Sequence, residues 1–130
     1  MYELRIRTSF AAAHSLRDYN GPCARLHGHT WQVEVVLTGR QLDGKGMLVD
    51  FRELKNSAKK VIEELDHQNL NTLEPFTHSN GGNPTAENLS RYLFERLRVE
   101  FSGLQREVKL ALVRVCESPE ACAAYWEEEQ

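Results

Sequence analysis

Residues 23–38 read Cys-Ala-Arg-Leu-His-Gly-His-Thr-Trp-Gln-Val-Glu-Val-Val-Leu-Thr, and they combine a strand pattern with two closely spaced histidines. Side chains two residues apart in a strand lie on the same face. A strand that begins at His27 therefore directs His27, His29 and Trp31 to one face. We predict a strand from about His27 to Arg40 whose beginning presents two imidazoles side by side, and two such imidazoles can bind one metal ion.

The preceding segment supplies a third histidine. Residues 2–10 alternate apolar and polar side chains, which predicts a half-buried strand, and the strand runs through three alanines into His14. Strands this close in sequence pair most simply as antiparallel neighbours, so we expect His14 to lie near His27 and His29. Three neutral imidazoles with one vacant position are typical of catalytic zinc, although imidazole also suits copper, iron and nickel. The alternative is that these are scattered histidines that hold no metal.

The rest of the chain predicts two helices and two more strands. Asp50 has the position of a helix N-cap before an apolar repeat that ends near Asp66, and Thr85 has the same position before a second repeat. The other predicted elements are strands at Val108–Cys116 and Ala121–Trp126 and a turn at 117–120. The order β-β-α-α-β-β predicts one α+β domain over residues 1–130, with two helices covering a four-stranded antiparallel sheet.

Composition narrows the classes of function. The net charge of −3 gives no basic surface for nucleic acid, and no apolar run approaches the roughly 20 residues that span a bilayer. Residues 1–7 alternate charged and apolar side chains, unlike the apolar block of an export signal. The three cysteines, at positions 23, 116 and 122, do not form the pattern of a disulfide framework. We therefore expect a cytoplasmic protein that binds neither nucleic acid nor membrane.

Cys23 lies in the loop just before the two strand histidines, where a thiol has two chemical uses. As a fourth ligand it closes a structural site of three histidines and one cysteine. Unligated beside a metal, its thiolate is stabilised by the nearby positive charge and can accept a proton. The third alternative is a small buried side chain, which is the usual place of a free cysteine.

Two further segments carry candidate acid–base groups. Asp66 and His67 follow a predicted helix end, and a carboxylate beside an imidazole stabilises its charged form for proton transfer. Glu117 ends the apolar run of a predicted strand, where a carboxylate can accept the paired N–H groups of a nitrogenous ring. The alternatives are an ordinary helix end and an ordinary turn.

Six ordered segments together resemble the 6-pyruvoyltetrahydropterin synthase family. They are Phe10–His14, Cys23–His29, Asp50–Lys55, Leu65–Asn71, Asn83–Leu89 and Cys116–Glu117. The Cys-x-Arg-Leu-His-Gly-His form is similar to the bacterial 6-carboxy-5,6,7,8-tetrahydropterin synthases of queuosine biosynthesis. The resemblance implies the tunnelling fold, in which four-stranded sheets join between subunits into a barrel, usually in a hexamer with sites at subunit interfaces.

The resemblance also implies a role for each site residue. His14, His27 and His29 hold Zn²⁺; Cys23 accepts a proton; Asp66 and His67 return one; Glu117 anchors the pterin ring and is sometimes grouped with the relay; Thr85 and Glu87 line the pterin pocket. The implied reaction is that of a lyase. It converts 7,8-dihydroneopterin triphosphate to 6-carboxy-5,6,7,8-tetrahydropterin, acetaldehyde and triphosphate.

Two other functions stay open at this point. One is the sister reaction, in which triphosphate is eliminated to give 6-pyruvoyltetrahydropterin without loss of carbon. The other is a non-catalytic zinc- or pterin-binding module, which predicts a closed four-ligand site that includes Cys23.

The segment Phe76–Gly82 is a departure from the family, because it is longer and richer in glycine. His78 within it has no family counterpart, and we interpret it as a surface histidine. Arg17 and Arg25 are candidate phosphate ligands, with ordinary surface charges as the alternative.

Overall fold

The computed structural model describes residues 1–78, 81–104 and 107–128. The strands are β1 (Tyr2–His14), β2 (His27–Gly39), β3 (Gln68–Asn69), β4 (Val108–Ser118) and β5 (Ala121–Tyr125). The α-helices are α1 (Phe51–Ile62) and α2 (Ala86–Phe101), and short 3₁₀ turns lie at Pro22–Ala24, Leu70–Thr72, Glu74–Phe76 and Ser102–Leu104. The α+β class and the order of the main elements are as the sequence predicts.

The sheet has five strands in the order β3-β1-β2-β4-β5, so the prediction of four was wrong. The additional strand, β3, pairs in parallel with Ala12 and Ala13 of β1. A strand of two residues has no alternation that a sequence pattern can report, which is why it was missed.

The pairing of β1 with β2 positions the three histidines. The two strands are antiparallel over their whole length, from Tyr2 opposite Gly39 to His14 opposite His27. Ala12 lies opposite His29, so both strand histidines are in register with the end of β1. The expected antiparallel neighbours are confirmed.

Two capped helices cover one face of the sheet. Asp50 Oδ1 accepts a hydrogen bond from Arg52 N at 2.8 Å, and Thr85 Oγ1 accepts one from Asn88 N at 3.1 Å. Both predicted N-caps are confirmed, although α1 ends at Ile62, before the predicted end near Asp66. The core between sheet and helices includes the fully buried Trp31, Val35, Leu37, Leu54, Val61, Leu89, Leu93 and Leu97.

Strand β4 is longer than its sequence pattern predicted. It continues to Ser118, and its pairing with β5 shifts register between Cys116 and Ser118. Glu117 therefore lies in a bulge inside the strand. The prediction that it begins a turn at 117–120 was wrong. Bulges interrupt the alternation of side chains, so the pattern places the end of the strand too early.

The structure corrects the expectation about cysteine. Cys116 and Cys122 are directly opposite each other on β4 and β5, and they form a disulfide. A count of three cysteines does not reveal a cross-strand pair, because the hairpin creates the proximity. Cys23 is the free cysteine of the described chain. The cysteine argument for a reducing compartment therefore has no support.

Neither α1 nor α2, the two α-helices of the described chain, combines the length and apolar character that a membrane crossing requires.

Candidate metal centre and active site

Three imidazoles meet where β1 ends and β2 begins. One donor atom from each of His14, His27 and His29 lies within 4.8 Å of the other two, and the Nε2 atoms of His14 and His27 are 3.0 Å apart. His14 is buried, with 1% of its surface exposed, and the other two are half-buried. The sequence predicted this grouping, and the register of the two strands produces it.

Backbone carbonyls select the nitrogen that each of two imidazoles presents. His14 Nδ1 lies 2.7 Å from Pro84 O, and His27 Nδ1 lies 2.7 Å from Arg25 O. A carbonyl oxygen only accepts hydrogen bonds, so Nδ1 carries the proton in both rings and Nε2 of the neutral ring carries a lone pair. The two lone pairs face each other and repel unless a proton or a cation lies between them.

The spacing and the burial of the nitrogens fit a metal ion. Nitrogens about 2.0–2.1 Å from a tetrahedral zinc lie roughly 3.3 Å from each other. The Nε2 atoms of His14 and His27 are 3.0 Å apart, close to that value. His29 Nε2 is buried and has no hydrogen-bond partner in the described structure. A buried nitrogen without a partner is costly, and coordination satisfies it. The donor set therefore fits zinc, although imidazole alone does not fix the identity of the metal.

Burial favours the ligating form of His14. Desolvation lowers its pKa, and the neighbouring imidazoles of His27 and His29 lower it further, against the opposing effects of the Pro84 carbonyl and Glu117. A lowered pKa keeps the ring neutral, and a neutral imidazole is the form that binds metals.

Cys23 does not join the three imidazoles. The group of donor atoms within 4.8 Å of one another contains the histidines and not the Cys23 thiol, within the ranges that the structure describes. Cys23 is half-buried in the 3₁₀ turn at Pro22–Ala24, and its carbonyl accepts a hydrogen bond from Leu16 N at 2.9 Å. The arrangement is an open three-imidazole group rather than the closed four-ligand site.

Glu117 lies beside the three histidines. Its Oε1 is 4.0 Å from His14 Nε2, and 33% of its side chain is exposed. Val113 and Val115, which precede it on β4, are buried, and the bulge at Glu117 leaves its carboxylate at the edge of the histidine group. The position leaves a carboxylate accessible to a ligand next to the candidate metal.

Asp66 and His67 form a hydrogen-bonded pair attached to Ala11 of β1. Asp66 Oδ1 accepts from Ala11 N at 2.9 Å, and Asp66 Oδ2 lies 2.9 Å from His67 Nδ1. The Ala11 N–H and then His67 lower the pKa of Asp66. His67 N donates to Ala11 O, and the His67 backbone is left-handed, with φ of 59°. The dyad that the sequence suggested is therefore present and held firmly.

The dyad lies near the three histidines but is not part of their group. The His67 side chain is 82% exposed. It shares a depression of about 580 Å³ with Ala11, His29 and Thr30 at the surface. Asp66 binds Ala11, and His29 pairs with the next residue, Ala12. The dyad and the histidine group therefore contact consecutive residues of β1.

Thr85 and Glu87 begin α2 next to the metal site. Thr85 follows Pro84, whose carbonyl binds His14, and its own hydroxyl caps the helix. Glu87 is exposed in the first turn, and its carbonyl accepts from Ser90 Oγ at 2.7 Å. Contact with a pterin remains a prediction for both residues.

Arg17 has a structural role that the sequence did not suggest. Its Nη2 donates to the carbonyls of Phe76, His78 and Gly82, at 2.5, 3.1 and 3.3 Å. The guanidinium therefore binds the segment that departs from the family pattern, of which residues 79 and 80 lie outside the described residues. His78 has an exposed side chain 3.5 Å from Glu74, as expected of a surface histidine.

Sequence reasoning also missed two asparagines, Asn71 and Asn83, whose side chains bind the backbone just after His14. Both lie inside segments quoted for the family resemblance, but their amide groups carry no chemical signal of their own.

Comparison with known proteins identifies the family. The sequence profile described as 6-pyruvoyl tetrahydropterin synthase matches residues 3–128. This chain belongs to that family. Members of the family are pterin-processing lyases, and the family resemblance of the six sequence segments is confirmed.

The relatives of this chain are named for three different activities. The chain is 38% identical to a dihydroneopterin monophosphate aldolase of Pyrococcus furiosus, over 88% of both chains. It is 30% identical to a 6-carboxy-5,6,7,8-tetrahydropterin synthase of Haemophilus influenzae, over 98% of this chain and 100% of the relative. The solved 6-pyruvoyl tetrahydropterin synthase of Caenorhabditis elegans superposes with a TM-score of 0.82 at 28% identity, covering 98% of this chain and 96% of that one. The chain fold of that structure, a sheet with two helices on one face, is therefore also the fold of this protein.

Proposed function

We propose that this protein is a zinc-dependent lyase that converts 7,8-dihydroneopterin triphosphate to 6-carboxy-5,6,7,8-tetrahydropterin, acetaldehyde and triphosphate. The observation that carries the proposal is the open group of three imidazoles with Glu117 at 4.0 Å, in a chain of this family. Several relatives bear the name of this activity, including those of Haemophilus influenzae and Bacillus subtilis. In this proposal, the reaction is a step in the synthesis of queuosine.

His14, His27 and His29 would hold the zinc through Nε2. When bound, zinc supplies Lewis acidity that acidifies the C–H groups next to the hydroxyls of the substrate side chain. The open coordination position is needed for those hydroxyls, because a fourth protein ligand would exclude them.

Cys23 and the dyad would move the protons. The Cys23 thiolate accepts a proton from the substrate side chain. Cys23 is half-buried and lies two residues before Arg25, whose carbonyl binds His27. His67, whose Nδ1 lies 2.9 Å from Asp66 Oδ2, returns a proton to the ring or to the departing fragment. Triphosphate leaves, and one water molecule adds to the side-chain carbon attached to the ring and supplies the second carboxylate oxygen. The bond from that carbon to the next one then breaks in the manner of a retro-aldol step and releases acetaldehyde.

Glu117 would orient the pterin. A carboxylate accepts two parallel N–H groups from a planar nitrogen heterocycle, which gives both strength and direction. The beginning of α2, with Thr85 and Glu87, forms the adjoining wall in this proposal.

The exposure of His67 supports an oligomeric site. An imidazole that is 82% exposed in one protomer is available to a substrate bound on a neighbouring one. The family resemblance implies a hexamer with sites between subunits, and the two sheet-edge strands β3 and β5 leave hydrogen-bonding groups for such contacts. A cytoplasmic location belongs to the same proposal.

A second candidate is cleavage of a dihydroneopterin phosphate without release of triphosphate. The relative of Pyrococcus furiosus favours it, because that protein is named an aldolase for the monophosphate and is 38% identical. Elimination to 6-pyruvoyltetrahydropterin is a third, supported by the likeness to the Caenorhabditis elegans structure. The three reactions leave products of different mass.

The test is a product analysis with controlled metal content. Protein stripped by a chelator and protein restored with zinc are each incubated with the triphosphate and, separately, with the monophosphate. We expect 6-carboxytetrahydropterin and acetaldehyde in equal amounts from the triphosphate, only after zinc is restored. His27→Ala should abolish the reaction, whereas His78→Ala, which removes an exposed histidine elsewhere, should not. A different product, or equal turnover without metal, would contradict the proposal.

A further inference from the structure

Two residues that follow β1, Ser15 and Arg17, are each held by an asparagine from a different segment of the chain. Asn71 Oδ1 accepts from Ser15 N at 2.8 Å, and its Nδ2 donates to Ser15 O at 2.9 Å. Asn83 Oδ1 likewise accepts from Arg17 N, and Asn83 Nδ2 donates to Arg17 O, both at 2.9 Å. Each side chain binds the N–H and the C=O of one residue, as a neighbouring strand would.

The Asn83 clamp differs from the Asn71 clamp in what lies next to it. Asn83 immediately precedes Pro84, whose buried carbonyl receives the Nδ1 proton of His14 at 2.7 Å. One loop therefore binds the segment from His14 to Arg17 at both ends, by its carbonyl at the first residue and by its amide at the last. Among the described residues, the backbone carbonyls that bind the rings of the three histidines belong to Pro84 and Arg25, and neither is adjacent to Asn71.

The loop that carries Asn83 is itself fixed to α2. Thr85 N donates to Asn83 O at 2.8 Å, and Asn88 Nδ2 donates to Asn83 O at 2.8 Å and to Gly81 O at 2.6 Å. Because these bonds fix the backbone of Asn83, its side chain connects the helix to the strand that ends at His14.

We propose that Asn83 is a positioning residue of the metal site: its paired hydrogen bonds to Arg17 hold the Pro84 carbonyl on His14 and so aim His14 Nε2 at the ion. This inference rests on the metal site of the proposed function. Outer hydrogen-bond partners of a ligating histidine fix its tautomer and orientation, and their loss usually weakens metal binding by about 10–100-fold.

The experiment compares Asn83→Ala with Asn71→Ala, a matched control that removes the same pair of backbone hydrogen bonds two residues away. Zinc affinity is measured on the purified full chain by competition with a chromophoric chelator. We expect Asn83→Ala to weaken zinc binding by about 10–100-fold and Asn71→Ala to change it by less than about threefold. In the zinc-loaded wild type and in Asn71→Ala, the His14 Nδ1 proton should exchange slowly by NMR, and in Asn83→Ala it should exchange faster.

Zinc affinity of Asn83→Ala equal to that of the wild type would overturn the inference. Equal weakening in both variants would also overturn it, because the effect would then come from general loosening after β1 and not from the Pro84 carbonyl. If Asn83→Ala does not fold, Asn83→Ser is judged by the same criteria. A wild-type protein that binds no zinc would overturn the proposed function and this inference together, whereas normal zinc binding by Asn83→Ala would overturn the inference alone.

Discussion

At the scale of single residues, the chemistry of the site depends on which ring nitrogen each histidine presents. The carbonyls of Pro84 and Arg25 occupy Nδ1 of His14 and His27, and Nε2 of His29 has no partner in the described structure. The two carbonyl contacts leave unprotonated Nε2 atoms on His14 and His27, which face each other at 3.0 Å, with a donor atom of His29 within 4.8 Å. The identity of the three histidines could be predicted from their spacing, but the carbonyls could not, because backbone groups leave no trace in a sequence pattern.

Cys23→Ala tests the proton acceptor separately from the metal. Because Cys23 lies outside the group of imidazoles, we expect the variant to retain zinc at the wild-type ratio. Loss of a general base costs roughly 10²–10⁴-fold in turnover. Turnover is measured by product mass spectrometry and zinc by elemental analysis. Full turnover with zinc bound would remove the thiol from its proposed role, and loss of zinc would assign it to the metal.

Asp66→Asn tests the dyad through pH. The Ala11 N–H and then His67 hold the pKa of Asp66 below its usual value of about 3.9. A group whose pKa is lowered by folding stabilises the fold above its unfolded pKa, and this stabilisation disappears as the pH falls through the folded pKa. The wild type should therefore lose stability more steeply than the variant below about pH 4, in urea unfolding curves recorded from about pH 3 to pH 7. Parallel pH profiles would show that the charge of Asp66 has no part in holding the dyad.

At the scale of elements, the sequence was most informative where a pattern repeats. The alternation in β1 and β2 and the apolar repeats of α1 and α2 predict those elements, because burial of one face imposes the period. Contacts between loops obey no period, so β3, the bulge at Glu117 and the Cys116–Cys122 disulfide were missed. The family resemblance supplied the roles that periodicity does not report.

Thr85→Ala tests the cap that begins α2. Thr85 Oγ1 accepts from Asn88 N at 3.1 Å, and loss of such a cap costs about 1 kcal/mol. We expect a lower urea midpoint with an unchanged slope. Thr85→Ser keeps the hydroxyl and should stay close to the wild type. Equal loss in both variants would mean that the methyl group, rather than the cap, contributes the stability.

Counting thiols tests the hairpin of β4 and β5. Denatured, non-reduced protein should show one reactive thiol, from Cys23, and three after reduction, because Cys116 and Cys122 are bonded. Cys23→Ala should show none before reduction and two after it. Three thiols before reduction would contradict the disulfide.

At the scale of the whole molecule, the fold collects its functional groups at one end of the sheet. The end of β1, the beginning of β2 and the bulge of β4 bring the histidines and Glu117 together, and α2 begins beside them. The Asp66–His67 pair is attached to the same end of β1 but points to solvent. One protomer thus carries every candidate group, and the side chain of His67 is exposed to solvent. This arrangement is expected if neighbouring subunits share a site.

X-ray absorption spectroscopy of the zinc-loaded protein distinguishes an open site of three histidines from a site closed by Cys23, because it reports the atoms bound to the metal. We predict three imidazole nitrogens and one light atom at about 2.0–2.1 Å from one zinc per chain, with no sulfur. A zinc–sulfur distance of about 2.3 Å would place Cys23 on the ion and would contradict both the open three-histidine site and the proposed role of the thiol.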